Sequence, residues 1–320
     1  MKPLILSSLD LSSIPEVTKE LKKKFRIKYS VNSRKKTKKL ISSSLIYLSS
    51  ASVKVDKDLL KKAIKLKFIF SPSTGTDHLD LKEIKRKKIK CSTITKEFKL
   101  LDTFTATSEL TFALILNLYR KIIPASNDAK NGIWSREKFT GTQLQSKTIG
   151  ILGMGRLGKI TSKIALGFGM KVLGCDTKVK KIRNVKMVSI QKLFKLSDVI
   201  SIHLHLNKNT RNLVNMKLLK TMKRTSILIN TSRGGIIDER DLVYALNKKL
   251  IAGAGLDVID GEWLSISELL NHKLIKLSKN RNNLIIVPHI GGSTFESISG
   301  ARRFICKKIL KDYKKIIKKI

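Results

Sequence analysis

The chain has 320 residues, room for two ordinary domains with cores of their own, and carries 66 Lys and Arg against 24 Asp and Glu, a formal charge of +42. With 42% hydrophobic residues it has enough apolar material to fold despite that charge, and its longest apolar stretch, Leu110 to Leu118, is far too short for a bilayer span. Three cysteines, Cys91, Cys175 and Cys306, are odd in number and widely spaced, which argues against a disulfide framework or a thiolate zinc site.

In chain order, the first strand candidate is Leu4-Ile5-Leu6. Serines and Asp10 soon follow it, leaving too little for a signal-peptide core, so a cytoplasmic location is expected. A helical stretch from Ile14 to Lys24 leads to Phe25-Arg26-Ile27, then a lysine-rich stretch, the run Leu45-Ile46-Tyr47-Leu48, a helical pattern from Asp58 to Leu66, and Phe68-Ile69-Phe70. Short apolar runs separated by amphipathic helices predict a parallel sheet covered on both faces. A longer helical pattern, Ala106 to Ile123, is expected to close at Pro124. The alternation then restarts with Thr148 to Leu152, and five further strand candidates follow: 171–174, 199–202, 226–229, 255–258 and 284–287. Six strands with intervening helices predict a second doubly wound domain.

The strand ending at Leu152 runs into Gly153-Met154-Gly155-Arg156-Leu157-Gly158 and a helix. In that context Gly153 permits a tight turn, Gly155 lets backbone approach a pyrophosphate, and Gly158 allows close helix packing at a positive helix terminus. Asp176 stands at the end of the next strand, where a carboxylate accepts the ribose hydroxyls and repels a 2′-phosphate, so NAD is favoured over NADP. Three later segments also end predicted strands: 229–235 with Thr231, Ser232 and Arg233; 255–262 with Asp257 and Glu262; and 288–294 with His289, Gly291 and Gly292. Together they place a fixed cation, an acid and a titratable imidazole around one dinucleotide site, a set suited to hydride transfer at a hydroxyl-bearing carbon. His203 and His205 share a face if the strand continues, yet no third ligand is suitably spaced, and no metal is expected.

In order and spacing these segments resemble the D-isomer-specific 2-hydroxyacid dehydrogenases, a family that includes phosphoglycerate, glycerate and formate dehydrogenases. The likeness runs from about Leu45 to Thr294 and includes the 73–80 stretch, similar to the family's substrate loop, and the segment from Val199 through Thr210 and Arg211 on the nicotinamide side. The resemblance implies that Arg233 binds the substrate's carboxylate and carbonyl oxygen, that His289 is the general acid/base, and that Glu262 holds its imidazole. It further implies that Asp257 accepts from the nicotinamide carboxamide, that amides at Arg156 and Leu157 meet the pyrophosphate, and that Ser73, Thr74 and Gly75 cradle the substrate carboxylate. Thr210, Thr231, Ser232, Gly291 and Gly292 join the expected cofactor contacts, as does His205, which stands where many members have proline. Where phosphoglycerate-specific members carry two arginines flanking a serine, this chain has Leu48-Ser49-Ser50-Ala51, with Lys54 the nearest cation. Trp263, beside Glu262, is a candidate for shaping the pocket, and the tail from Arg302 to Ile320 is expected to be a helix packing on the first domain.

The fold expected is therefore α/β with two doubly wound parallel sheets: a Rossmann NAD-binding domain over 104–291, inserted into a flavodoxin-like substrate domain built from 1–103 and 292–320, with the active site in the cleft between. The expected activity is NAD-dependent hydride transfer to or from C2 of a small 2-hydroxy or 2-oxo acid. A homodimer through the NAD-binding domains is implied by the resemblance. The alternatives are a D-3-phosphoglycerate dehydrogenase and a non-catalytic, NAD-sensing corepressor-like protein on the same fold. The charge suggests nucleic acid, but 52 of the 66 cations are Lys and only 14 are Arg, the residue that phosphate and base recognition favours. Neither nucleic acid nor membrane is expected as a partner.

Overall fold

The structure is a computed structural model that describes residues 2–262 and 265–318. Trp263, and Ile320 at the end of the tail pattern, lie outside the described residues. The chain divides into two compact units, Met1–Phe104 with Thr294–Ile320, and Thr105–Ser293.

The first unit holds five parallel strands, β1 (Leu4–Ser7), β2 (Arg26–Tyr29), β3 (Ile46–Leu48), β4 (Phe68–Ser71) and β5 (Lys90–Thr93), in the order β2-β1-β3-β4-β5. This is the flavodoxin-like order. Alternating side chains of each strand go to opposite faces. Ile5, Ile46, Leu48, Phe68 and Phe70 pack with the helices Pro15–Lys24 and Phe295–Lys311, while Leu6, Tyr47 and Ile69 pack with Leu59, Leu60 and Ile84 on the other side. The tail helix contributes Ala301, Ile305, Cys306 and Ile309 to that first face, and Ile316 of the following turn is also fully buried there. β5 carries no apolar run in Lys90-Cys91-Ser92-Thr93, and periodicity did not reveal it.

The second unit holds seven parallel strands rather than six: β6 (Thr148–Leu152), β7 (Lys171–Cys175), β8 (Lys186–Met187), β9 (Val199–Ile202), β10 (Ile227–Asn230), β11 (Gly253–Leu256) and β12 (Leu284–Ile286). Their order is β12-β11-β10-β9-β6-β7-β8, so the chain builds outward from β6 to β8 and then crosses back to β9 on the other side of β6. That reversal leaves the carboxyl ends of β6 and β9 side by side, the place where open α/β sheets bind ligands. The two-residue β8 at the edge was not expected. β11 begins and ends two residues earlier than its apolar pattern suggested, which puts Asp257 just past the strand end.

Pro124 does not close the long helix. Helix Ala106–Arg120 ends where Lys121 turns left-handed (φ 52°), and a second helix, Ile122–Lys130, starts at once with Pro124 in its first turn. Proline fits there because the first amides of a helix have no intrahelical acceptor to lose. Among the described residues no helix is long and apolar enough to cross a membrane.

Candidate active site

The glycine loop follows β6 directly. Gly153 has a φ of 100°, a conformation disfavoured for any residue with a Cβ, and a Cβ built there would lie 2.6 Å from the His203 carbonyl oxygen. A Cβ on Gly158 would lie 2.1 Å from the Gly153 carbonyl oxygen, so the helix Arg156–Gly167 can approach the loop only with glycine at that position. Gly155 differs: nothing stands within 4 Å of its would-be Cβ, and as the residue before the helix it supplies no side-chain cap. The open space therefore lies at a helix N-terminus whose first amides no capping side chain satisfies, which fits a pyrophosphate.

Asp176 follows β7, and its carboxylate accepts three backbone amides, Met154 on one oxygen at 2.8 Å and Lys178 and Val179 on the other at 2.7 and 3.0 Å. Burial pushes its pKa up, but the three amide donors outweigh that and hold it below the ordinary aspartate value. The acid expected to meet the ribose thus also staples the glycine loop.

The second cluster forms past the ends of β10, β11 and β12. Asp257 is 1% exposed. Its carbonyl accepts the His289 amide at 2.8 Å, and its two carboxylate oxygens accept the Ile290 and Gly291 amides at 2.6 and 2.9 Å. Burial dominates and pushes its pKa up despite those donors. The partners of the Asp257 carboxylate among the described residues are therefore loop amides. Held by those bonds, His289 sits at φ 53°, a left-handed conformation costing a β-carbon residue about 1 kcal/mol or more. Its Nδ1 lies 3.0 Å from both carboxylate oxygens of Glu262. That pairing raises its pKa, against burial and the charge of Arg233. Among the described residues nothing meets its Nε2.

Arg233 is half-buried after β10, with Nη1 donating to the Ser232 carbonyl at 2.7 Å. The turn carrying it is set by Asn230, fully buried, whose Oδ1 accepts from the amide and hydroxyl of Ser232 while its Nδ2 donates to the Arg233 carbonyl. Thr231 shares a hydrogen bond with Thr111, and Thr107 on the same helix donates to the Gly291 carbonyl. Asn230, Thr107 and Thr111 were not singled out as site residues from sequence. An Asn at the end of an apolar strand was the available signal.

His205 is exposed, and its carbonyl accepts the Thr210 hydroxyl at 2.7 Å, so these two residues shape one turn. His203 points elsewhere, into Thr161 and Ser201, with Nδ1 sealed and without a partner; burial brings its pKa down to about 4. Among the described residues no group of three His, Cys, Asp or Glu forms a candidate metal site. Gly292, like Gly155, faces open space. Ser73, Thr74 and Gly75 belong to the first unit, in the loop after β4, where Ser71 donates to Ser73 and Thr95 donates to the Thr74 carbonyl. The structure thus brings Asp257 and Glu262 each into direct contact with His289, with Arg233 acting on the imidazole through its charge.

Comparison with known proteins matches residues 112–291 to the NAD binding domain of D-isomer specific 2-hydroxyacid dehydrogenases and residues 4–98 to the catalytic domain of the same family. The chain belongs to that family. It is 37% identical over 268 residues to a glyoxylate reductase of Thermococcus litoralis, covering 80% of this chain and 77% of the relative. It is 33% identical to a hydroxypyruvate reductase of Thermotoga maritima, covering 86% of each. A D-lactate dehydrogenase from Aquifex aeolicus, solved with NAD and lactic acid, superposes with a TM-score of 0.84 over 99% of this chain and 97% of that one, at 28% identity. The protein is thus an NAD-dependent D-2-hydroxyacid dehydrogenase, an oxidoreductase acting on the CH–OH group.

The glycine geometry separates binding from folding. Gly155→Ala should leave the thermal midpoint within about 2 °C of the parent while weakening NADH by about tenfold or more, because its methyl group enters the open space. Gly158→Ala should lower the midpoint itself. Thermal unfolding and NADH fluorescence titration read both, and an undiminished NADH affinity in Gly155→Ala would show that the cradle lies elsewhere.

Proposed function

We propose that this dehydrogenase reduces a small 2-oxo acid of the glyoxylate or hydroxypyruvate kind, with His289 as general acid, Glu262 as its orienting partner and Arg233 as the anchor for the carboxylate. The observation that carries this reading is the Glu262–His289 pair. An ionised carboxylate only accepts, so Nδ1 must carry the hydrogen, and Nε2 is the nitrogen left to exchange a proton with substrate. The same relatives named for glyoxylate and hydroxypyruvate support the substrate class.

In the proposed reaction Arg233 pairs with the substrate carboxylate and draws charge toward the carbonyl oxygen at C2. The glycine loop and Asp176 would hold NADH, which when bound would supply the hydride for C2. His289 delivers its Nε2 proton to the oxygen that develops charge, so the 2-hydroxy acid leaves neutral at that oxygen, and Glu262 stabilises the imidazolium beforehand. In the reverse direction Nε2 takes the hydroxyl proton. Two further features favour small acids over 3-phosphoglycerate. Ser49 and Ser50 after β3 are buried and neutral, and Arg34, the cation near Lys54, is already paired with Asp56 and Asp58.

The cofactor-binding unit exposes Ile122, Ile123, Ile133 and Trp134, the last at 91%, and we assign this apolar surface to a homodimer contact. Sedimentation equilibrium should return twice the chain mass, and a Trp134→Glu variant the mass of one chain; a monomeric parent would remove the assignment. The three cysteines are unpaired, in keeping with the reducing cytoplasm proposed as its location.

Incubation with NADH and a panel of 2-oxo acids should show turnover of glyoxylate or hydroxypyruvate, and His289→Gln should keep NADH binding while losing about a thousandfold in kcat. Reduction needs the protonated imidazole, so it should be fully present below the His289 pKa and fall as pH rises through it. Glu262 holds that pKa above the ordinary 6.5, and Glu262→Gln should move the alkaline limb to lower pH. Undiminished turnover in His289→Gln would exclude the assigned acid.

A further inference from the structure

A second histidine–carboxylate pair lies behind the first. All three polar groups of Asp260 are held. Its amide donates to Glu239 Oε1 at 2.7 Å, its carbonyl accepts from His272 Nε2 at 3.1 Å, and its carboxylate accepts from Arg211 Nη1 at 3.1 Å. His272 Nε2 is also 3.1 Å from the other oxygen of Glu239. Because a carbonyl oxygen only accepts, Nε2 carries the hydrogen, and Nδ1 is left sealed with no partner. The anchors come from distant points: Glu239 opens the helix Glu239–Asn247, His272 precedes the helix Lys273–Ser278, and Arg211 lies beyond β9.

Stability alone gives no reason for this arrangement. The side chains of His272 and Glu239 are only 11% and 17% exposed, and an apolar pair of similar volume would avoid both the desolvated carboxylate and the unpartnered nitrogen. What the pair does provide is a fixed backbone at Asp260. The next residue, Gly261, turns at φ 89°, and the one after it is Glu262, whose carboxylate meets His289. On the other side, a Cβ on Gly234 would lie 2.0 Å from the Ile259 carbonyl carbon, so the turn after Arg233 is seated on the same segment.

We propose that His272 and Glu239 are positioning residues for proton transfer, fixing the Asp260 backbone so that Glu262 is presented to His289. The proposal rests on the assignment of His289 as the acid. The charged groups acting on His289 are Glu262, Asp257 and Arg233, and those facing Glu239 are His272 and Asp260. None of the three acting on His289 is altered by a change at His272, so any movement of its titration reports displacement of the Glu262 turn.

The test uses the full chain. In His272→Ala, the His289 ring titration, followed by NMR without substrate, should fall from its raised midpoint toward the ordinary 6.5. The kcat for 2-oxo acid reduction should fall about tenfold or more, with the NADH Kd within about threefold of the parent. His272→Gln, whose amide can still donate to the Asp260 carbonyl, should recover most of both. If His272→Ala does not fold, Glu239→Gln serves: its oxygen still accepts the Asp260 amide, but its NH2 opposes the His272 donor, and the same fall in midpoint is expected. An unmoved His289 midpoint in the folded variant would overturn the proposal even if the parent is active. A parent that turns over no 2-oxo acid would instead remove the catalytic assignment, leaving the titration result to stand by itself.

Discussion

Asp257 is the constraint on which the proposed chemistry depends. A carboxylate buried to 1% exposure is costly, and it is tolerated because its oxygens take the Ile290 and Gly291 amides while its carbonyl takes that of His289. Those three bonds bend the chain after Pro288 tightly enough to hold a histidine in the left-handed region, and that backbone turns the ring toward Glu262. Gly291 is part of the same device, since a Cβ there would come within 2.7 Å of an Asp257 oxygen.

The cofactor side repeats the device. Asp176, past the end of β7, gathers the Met154 amide of the glycine loop and the amides of its own turn. In both places an acid at a strand end fixes a neighbouring loop through backbone donors. Asn230 does the equivalent for the Arg233 turn with an uncharged amide. The sheet supplies strand ends at fixed spacing, and these short polar side chains convert that spacing into loop conformations. Against this, the +42 charge is largely a matter of exposed lysine: it favours encounter with anionic substrates and cofactors, while the acids used by the site are partly or wholly withdrawn from solvent.

Much of this was legible in the sequence where a local pattern and a local requirement coincide. The glycine loop was readable because strand, turn and helix are contiguous there, and Arg233, Glu262 and His289 because each follows an apolar run. Edge strands β5 and β8 were not, since a strand paired on one side needs little apolar character, and Lys90-Cys91-Ser92-Thr93 shows none. The helix break at Lys121 was misplaced by three residues, because Pro124 reads as a stop when it is in fact in the first turn of the next helix. The web around Asp260 was out of reach altogether: residues 211, 239, 260 and 272 share no pattern, and only the folded backbone brings them together.

Asp257 organises the His289 loop, and the isosteric Asp257→Asn variant tests that role. An amide NH2 would face a backbone N–H in place of an acceptor, so the loop should loosen. With NADH titrated by fluorescence and kcat measured at saturating NADH, the variant should show an NADH Kd within about threefold of the parent and a kcat lower by about a hundredfold or more. A parental kcat, with the loss confined to NADH affinity, would contradict that role.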